Sequence, residues 1–225
     1  MVYTLRMSSV VGIFAHPDDE TFGPGGTLAT LAKENDVYII CATNGDGHMG
    51  NRKKEIELGK TRRKELLASS KILGIKKVFF LNYQDGTLSH NVYHKLADKV
   101  LKIVRQLKPE VLITFEPRGV SGHIDHIVMS MITSFIFPEV KSAKKLMKYC
   151  LPVKNSLIMG KDYFIHFPRG YTDDEIDEIV DTSIVWDQKV AAMHQHVSQM
   201  HDVERILKRN KDLPRQENFL VIEKE

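Results

Sequence analysis

Short runs of apolar, β-branched residues alternate along the chain with segments in which apolar residues recur every three or four positions. A short continuous apolar run is typical of a buried strand, and the longer spacing is typical of an amphipathic helix. Gly74 follows the second helical segment, at a point where a glycine commonly ends a helix. The predicted strands span 9–15, 36–44, 76–83 and 111–117, and the predicted helices span 24–34, 52–74, 92–109 and 123–137.

The order of these elements predicts the fold class. Strands that are apolar along their whole length, each followed by a helix, belong to a parallel sheet with both faces covered. We therefore expect an α/β fold, a Rossmann-like three-layer sandwich with a mostly parallel central sheet.

The pattern is less regular towards the C-terminus. A lysine-rich stretch between positions 141 and 161 is interpreted as a solvated face, with attraction of an anionic substrate group as the alternative. A further strand is predicted at 161–167 and a late helix at 186–200. No internal repeat and no linker-like stretch interrupts the sequence, so we expect one domain over residues 1–225.

Composition narrows the class of protein. Of the 225 residues, 42% are hydrophobic and 27% are charged, which is typical of a soluble globular protein. The 32 basic residues exceed the 29 acidic ones by a net charge of only +3. Such a small surplus does not indicate nucleic-acid or membrane-surface binding. We therefore expect no nucleic acid and no membrane among the partners, while a homo-oligomer stays open.

The apolar segments and the cysteines indicate the compartment. The run VVGIFA before His16 is shorter than the roughly 7–15 residues of a signal-peptide core, and no later run approaches the roughly 18 needed to cross a membrane. Cys41 and Cys150 are the only cysteines, and both lie in apolar segments. They are interpreted as reduced and buried, with one disulfide as the alternative. We expect a cytoplasmic protein.

Ionisable residues follow the predicted strands at the points where the strands end. They occupy positions 16–20, 43–48 and 118–126, together with Asp85. Because the carboxyl ends of parallel strands lie at one edge of the sheet, where ligands bind, these residues are expected to converge.

Two pairs of these residues have the types and spacing of metal ligands. His16 and Asp19 lie three apart across a tight turn, and His123 and His126 lie three apart on one face of the predicted helix. Two imidazoles and a carboxylate with an open position form the ligand set of a catalytic zinc and also of a non-haem iron. Asp18 is then placed to take a proton from a metal-bound water. The alternative is that the acids cap the following helix and the histidines lie on the surface.

Several motifs together resemble the zinc-dependent N-deacetylases of the LmbE/PIG-L family. AHPDDE after a strand and the later GHIDH carry the resemblance. It extends to TNGDG at 43–47, the R-x-x-E-L stretch at 62–66, LNYQDGTL at 81–88 and KVAAMHQHVSQ at 189–199. These elements stand in the family's order and cover about residues 9–200.

The resemblance implies a role for individual residues. His16, Asp19 and His126 would hold Zn²⁺, with another divalent metal such as Fe²⁺ as the alternative. Asp18 would be the general base, and His123 would stabilise the oxyanion or protonate the leaving amine. The residues implied on the substrate side are Arg62, Asp85 and His196.

The implied activity is removal of the N-acetyl group from an N-acetylglucosamine-type sugar or its conjugate, a small-molecule substrate. Two alternatives stay open: a metal-dependent amidase acting on another amide, such as a thiol conjugate, and a zinc-binding protein without catalysis. The presence of both Asp18 and His123 beside the ligands speaks against the second. The chain departs from the family at Ile124, where proline is common, and at Asp46, where glutamate is common.

Other residues allow two interpretations. Asp125 either orients one of the neighbouring histidines or faces solvent, and Glu20 serves hydrogen bonding or helix electrostatics. His90 and His94 have a spacing that can bind metal, but they are interpreted as exposed. The same interpretation applies to four further histidines, although the first of them lies in a loop near the site: His48, His166, His194 and His201. GPGGTLA lacks the third glycine of a dinucleotide site, so a nucleotide cofactor is not expected.

Overall fold

A seven-stranded sheet forms the centre of the protein. The computed structural model describes residues 8–47, 50–161 and 166–224. The strands are β1 Ser9–Phe14, β2 Asp36–Thr43, β3 Lys77–Tyr83, β4 Val111–Phe115, β5 Lys145–Cys150, β6 Glu178–Asp181 and β7 Gln216–Glu223. Their order in the sheet is β3-β2-β1-β4-β5-β7-β6. The first five strands are parallel, and β7 runs antiparallel to both of its neighbours.

Helices connect the strands and cover the sheet. They are α1 Asp19–Phe22, α2 Gly25–Leu31, α3 Arg52–Leu73, α4 Tyr93–Leu107, α5 Gly119–Gly122, α6 Ile124–Ile136, α7 Val153–Met159, α8 Trp186–Met193 and α9 Met200–Arg209. The predicted α/β sandwich with a mostly parallel sheet is confirmed. The four predicted strands and the four predicted helices between them are all present, most of them slightly shorter than expected.

The alternating side chains of β1 show how the sheet is buried on both sides. Val11 and Ile13 belong to the core that α4 and α6 cover, whereas Val10 and Phe14 belong to the core on the opposite face. Leu28 of α2 packs into that second core. A strand with both sets of side chains buried has a continuous apolar sequence, which is why the pattern of β1 was readable.

The C-terminal third differs most from the prediction. The lysine-rich stretch contains β5, which lies inside the sheet between β4 and β7. Lys148 on this strand is buried, so the predicted solvated face is wrong for this residue. The prediction is correct for the exposed lysines of the stretch, which are Lys141, Lys144, Lys154 and Lys161. Lysines interrupt the apolar run, and pairing with β4 outweighs their weak strand preference. The strand predicted at 161–167 falls largely on residues 162–165, which lie outside the described residues.

The predicted late helix is shorter than expected. It ends at Met193 as α8, and a 3-10 turn over Val197–Gln199 then leads into α9, which lies almost wholly beyond the predicted span. His196 precedes that turn with a φ of −83° and a ψ of 61°, which is not helical. The side chain of Ser198 is held by Glu65 of α3 at 2.7 Å. Contacts to distant residues therefore decide where the helix ends.

The chain reverses its direction of winding between β1 and β4. From β1 the chain adds β2 and β3 on one side, and it then returns to add β4 on the other side. Ligands of open α/β sheets bind at such a point, beyond the carboxyl ends of the two strands. The loops after β1 and β4 are those that carry the predicted metal ligands.

The structure can be compared with the predictions about the cysteines and about membrane-spanning segments. Cys41 and Cys150 are both free and buried, as predicted, so the alternative of a disulfide is excluded. Among the helices of the described residues, none has the length and apolar character needed to cross a bilayer.

Candidate active site

The turn after β1 is organised by Asp19. Its Oδ2 accepts hydrogen bonds from the backbone N–H groups of Ala15 at 3.0 Å and His16 at 2.7 Å. Within the described residues, Asp18 makes no side-chain cap bond to α1 although it stands at the cap position. The alternative that these acids serve to cap the helix therefore does not hold for Asp18.

His123 and His126, which follow β4, differ in their backbone conformation and in their hydrogen bonds. His126 lies in the first turn of α6, and its Nδ1 is 3.1 Å from the carbonyl oxygen of Gly119. His123 precedes the helix and caps it, accepting the N–H of Asp125 on Nδ1 at 3.2 Å. The expectation that both lie on one helix face is therefore wrong, because the chain is extended at His123.

Three ligand atoms from the two loops converge. His16 Nδ1 lies 3.0 Å from His126 Nε2, and Asp19 Oδ1 lies 3.2 Å from the same His126 atom. Ligand atoms in a tetrahedral zinc site, at the usual zinc–ligand distances, are about 3.3 Å apart. The spacing therefore fits a small divalent cation.

The imidazoles of His16 and His126 face each other through His16 Nδ1 and His126 Nε2, the inner nitrogens. The neighbours of the two outer nitrogens indicate where the ring protons lie. His126 Nδ1 faces a carbonyl oxygen, and His16 Nε2 lies 2.9 Å from Asp85 Oδ1, and these neighbouring acceptor oxygens favour a proton on both of these nitrogens. In neutral rings the two inner nitrogens then each have a lone pair. Two facing lone pairs beside the Asp19 carboxylate favour a cation between them, either a proton or a metal ion.

The surrounding carboxylates favour that cation. Burial lowers the pKa of His16, but hydrogen bonds to Asp125, Asp19 and Asp85 outweigh it and raise the pKa well above its ordinary value. Burial raises the pKa of Asp85, but His16 overcomes this and holds it at about 2. Carboxylates that hold a ligating histidine from behind are typical of metal sites.

Asp125 belongs to this support. It is fully buried, and its Oδ2 is 3.5 Å from His16 Nε2. It also accepts the backbone N–H groups of Gly86 at 2.8 Å and Leu88 at 3.1 Å. Of the two interpretations, orientation of a histidine is the one that agrees with the structure.

His123 has the character of a hydrogen-bond donor. Because its Nδ1 accepts the N–H of Asp125, the proton of the neutral ring lies on Nε2. Burial, together with the nearby His16 and His126, lowers the pKa of His123 to about 4. The ring stands edge-on to His16, with the centroids 4.5 Å apart. A neutral donor is thus held next to the three converging ligand atoms.

Asp18 is held by Arg62. The guanidinium donates from Nη2 to Asp18 Oδ2 at 2.7 Å and to the carbonyl of Pro17 at 2.7 Å, and from Nη1 to the carbonyl of Gly45 at 3.0 Å. Burial raises the pKa of Asp18 to about 6, against the opposing effect of Arg62. Gly45 has a φ of +61°, and a Cβ there would lie 2.6 Å from the guanidinium. The TNGDG loop therefore needs glycine at this position.

A cavity of about 310 Å³ adjoins these groups. Its wall includes the proposed ligands, Asp18 and His123, and also Arg62 and Asp85 from the predicted substrate side. Farther out, the wall is formed by aromatic, amide and cationic side chains, among them Trp186, Asn155 and Arg209. Such a mixed lining suits a small polar ligand.

Residues 11–137, more than half of the chain, match the family described as PIG-L, GlcNAc-PI de-N-acetylase. The chain belongs to the PIG-L family. A curated relative, the probable N-acetyl-alpha-D-glucosaminyl L-malate deacetylase 2 of Bacillus cereus, is 30% identical over 197 residues, which cover 84% of this chain and 83% of that protein. The resemblance stated from the motifs is thereby confirmed.

Solved structures show the same fold. The N,N'-diacetylchitobiose deacetylase of Pyrococcus horikoshii aligns with a TM-score of 0.72 and 22% identity, over 97% of this chain and 85% of that one. GalB of Pseudomonas putida, a 4-carboxy-2-hydroxymuconate hydratase, aligns with a TM-score of 0.68 and 18% identity, over 97% and 98%. Proteins of this fold therefore include a hydratase as well as deacetylases.

The late PIG-L motif contributes Lys189, Met193 and Gln199 to the cavity wall, but His196 lies behind that wall. His196, expected on the substrate side, is fully buried and is not among the residues that line the cavity. Its Nε2 is 2.8 Å from Glu20 Oε1. Glu20 is itself buried and hydrogen-bonded, which agrees with the hydrogen-bonding interpretation of that residue.

Asp46, which stands where the family commonly has glutamate, contacts the turn that contains Asp85. Asp46 is buried, and its Oδ1 accepts the backbone N–H of Asp85 at 3.0 Å. It thereby supports the turn that brings Asp85 to His16. The shorter side chain still reaches its partner, so the departure leaves this contact intact.

Glu116 is a site residue that the sequence reasoning missed. It is buried at the end of β4, and its Oε1 accepts the N–H of Val120 at 2.6 Å. Its Oε2 accepts the N–H of Arg118 at 2.7 Å and the hydroxyl of Tyr171 at 2.6 Å. These bonds shape the loop that presents the Gly119 carbonyl to His126. An acid directly after an apolar strand was the available signal.

The remaining histidines of the described residues do not line the cavity. They are exposed, as the sequence predicted: His90, His94, His166, His194 and His201. His48 lies outside the described residues.

Proposed function

We propose that this protein is a metal-dependent N-deacetylase that removes the acetyl group from an N-acetylglucosamine-type sugar or its conjugate. The observation that carries the proposal is the convergence of two imidazole nitrogens and a carboxylate oxygen beside Asp18, next to a cavity for a small polar ligand. The substrate class is supported by the PIG-L family and by the curated relative's name.

His16, Asp19 and His126 would hold the metal. Imidazole and carboxylate ligands suit zinc, and they also suit Fe²⁺. His123 could join His16 and His126 in a different set of three, since their ligand atoms lie within 4.8 Å of one another. Its Nε2 carries a proton in the observed arrangement, which favours Asp19 as the third ligand. A divalent cation there would supply a Lewis acid for an amide oxygen and would make water more acidic.

Asp18 is proposed as the general base. Its carboxylate lines the cavity next to the ligands, and Arg62 fixes its orientation. A pKa near 6 leaves it ionised at neutral pH and close to the value that favours proton transfer. It takes a proton from the attacking water as the new carbon–oxygen bond forms. It can return that proton to the nitrogen as the carbon–nitrogen bond breaks, releasing acetate and an amine.

His123 is proposed to donate a hydrogen bond to the oxygen that becomes negative during the attack. The protonated Nε2 makes this role possible, and the low pKa makes imidazolium scarce at neutral pH. Of the two roles that the family resemblance left open, stabilisation of the oxyanion therefore has the better support. A donor of this kind is typically worth about 10²–10³-fold in rate.

The test is acetate release by metal-loaded protein from a panel of amides. The panel contains N-acetylglucosamine, diacetylchitobiose, N-acetylglucosaminyl malate and an amide-linked thiol conjugate, with the Asp18→Asn protein as control. We expect acetate from at least one N-acetylated sugar.

The same samples distinguish the other candidates. Cleavage of the thiol conjugate alone would replace the substrate class but keep the mechanism. Hydration of 4-carboxy-2-hydroxymuconate without any acetate release would show that the protein shares the reaction of the hydratase. Full metal loading with no turnover of any compound would contradict an enzymatic function on these substrates.

A further inference from the structure

We propose that His196 is a positioning residue for Asp18: it holds Glu20, and Glu20 holds the backbone of Asp18 in the orientation that catalysis requires. The inference rests on the proposed function, because it assigns a role within the deacetylation reaction. It concerns a residue of the late motif that does not line the cavity.

The backbone of Asp18 needs such support. Its φ is 138°, a value that residues with a side chain rarely adopt. Strained positions of this kind persist where the surroundings fix them, and they are concentrated at functional sites. Arg62 holds the carboxylate of Asp18, but the peptide N–H of Asp18 is held by Glu20 Oε2 at 3.0 Å.

Glu20 can hold that N–H only if its own carboxylate is fixed. Glu20 is buried, with 1% of its surface exposed, so solvent does not orient it. Its Oε1 accepts the hydroxyl of Ser69 from α3 and lies 2.8 Å from His196 Nε2. One carboxylate therefore connects the peptide of Asp18 with two side chains that come from distant parts of the chain.

The polar contacts of His196 are directed to this carboxylate. The side chain is fully buried, and its Nδ1 has no hydrogen-bond partner among the described residues. Phe22 packs edge-on against the ring, with the centroids 6.1 Å apart. A histidine that only filled space would not need a donor at Nε2, whereas a histidine that orients Glu20 does.

The neighbouring motif residue provides a contrast. Ser198 donates its N–H at 2.8 Å and its hydroxyl at 2.7 Å to Glu65 of α3. This pair anchors the same short segment to α3 and does not contact Glu20. If His196 only anchored the segment, loss of the Ser198 hydroxyl would resemble loss of the His196 donor.

Four variants separate these possibilities. His196→Leu removes the donor and keeps an apolar side chain of moderate size. His196→Gln places an amide nitrogen at the same number of bonds from the backbone as Nε2, while His196→Asn places it at the position of Nδ1. Ser198→Ala is the matched control for the anchoring of the segment.

The first readout needs no substrate. We expect amide hydrogen exchange at Asp18, followed by NMR on the metal-free and metal-loaded protein, to become about 10-fold faster or more in His196→Leu. His196→Gln and Ser198→Ala should stay near the wild-type rate. Equal exchange at Asp18 in wild type and His196→Leu would overturn the proposal even if the protein proves not to be a deacetylase.

The second readout uses a substrate that the wild-type enzyme deacetylates. Loss of a supporting partner typically lowers activity by about 10–100-fold, and we expect this loss of kcat in His196→Leu with KM and metal content unchanged. His196→Gln should restore most of the activity and His196→Asn should not. In an Asp18→Asn background, His196→Leu should cost no further activity, because the group that it positions is gone.

Two results would contradict this role. A raised KM with unchanged kcat in His196→Leu would indicate a contact with substrate instead. Equal losses in His196→Leu and Ser198→Ala would indicate that the residue serves only to anchor its segment. Absence of turnover by the wild-type enzyme would contradict the proposed function, and the exchange measurement would still test the positioning.

Discussion

Asp18 and Asp19 are neighbours of the same residue type, yet their surroundings differ. Asp19 accepts two backbone N–H groups and faces His126, and the nearby histidines hold its pKa well below the ordinary value despite burial. Burial raises the pKa of Asp18 to about 6. A carboxylate that stays ionised suits a ligand, and one with a raised pKa suits a base.

Asp18→Asn should therefore abolish most of the chemistry and spare the metal. The amide keeps the size of the side chain but cannot accept a proton, so kcat should fall by about 10²–10⁴-fold with KM little changed. Steady-state kinetics and elemental analysis on the same sample would check this. Loss of the metal, or a wild-type rate, would show that the roles of the two aspartates are assigned wrongly.

Substitution of the proposed ligands, unlike Asp18→Asn, should remove the metal. We expect purified protein to contain one divalent metal, and both His16→Ala and the Asp19→Ala, His126→Ala double variant should lose it, because each removes atoms of the converging set. His94→Ala, which alters an exposed histidine, is the control. Full occupancy in the double variant would be inconsistent with the proposed ligands.

His123→Ala distinguishes a donor from a ligand. Because its Nε2–H is proposed to face the developing negative charge, the variant should keep its metal and lose about 10²–10³-fold in kcat. Metal titration beside kinetics would measure both effects. A large loss of metal affinity would instead favour the set formed by His16, His123 and His126.

Among the elements, the loop between β4 and α6 leaves little room for a side chain at Gly119. Gly119 has a φ of +69°, and a Cβ there would lie 2.9 Å from the Cβ of His126. Its carbonyl also faces His126 Nδ1, which sets the proton position of that ring. The loop therefore influences both the position and the protonation of one proposed ligand.

Gly119→Ala should reduce metal affinity. A side chain at this φ costs about 1–2 kcal/mol of stability. The contact with His126 should in addition weaken metal binding by about 10–100-fold, the usual effect of disturbing a ligand's support. Gly74→Ala is a matched control, since Gly74 also has a positive φ, of +80°, but its Cβ would meet Ala32. Calorimetric titration would contradict the expectation if both variants bound metal equally.

On the scale of the whole molecule, the proposed metal would join loops from two separate strands of the sheet. A ligand that binds only the folded protein stabilises it by about 2.7 kcal/mol when present at 100 times its dissociation constant. In a protein of this size that corresponds to a rise in Tm of about 5–10 °C.

Chelation should therefore lower both activity and Tm, and added Zn²⁺ or Fe²⁺ should restore them. Differential scanning calorimetry of the chelated and reloaded protein would measure the shift. The Asp19→Ala, His126→Ala double variant is the control and should show none. A wild-type Tm that does not respond to metal would be inconsistent with a site that bridges the two loops.

Much of the architecture was readable from the sequence because it rests on local patterns. β1 and β2 are continuous apolar runs, since both of their faces are buried, and α4 repeats its apolar residues at helical spacing. The strand order that follows from such a pattern brings the loops after β1 and β4 to one edge. The motif residues His16, Asp19 and His126 could therefore be placed together before any coordinates were considered.

Other features depend on contacts between distant residues, which no local pattern contains. Lys148 lies in a strand because β4 and β7 pair with it on either side, and the late helix ends where the chain bends to bury His196. The contacts of Asp125 with Gly86 and Leu88, and the fixing of Glu20 by Ser69 and His196, were decided by partners far along the chain. Residue types thus determined which chemistry is available, while tertiary packing decided which atom carries each proton and which residues hold the base.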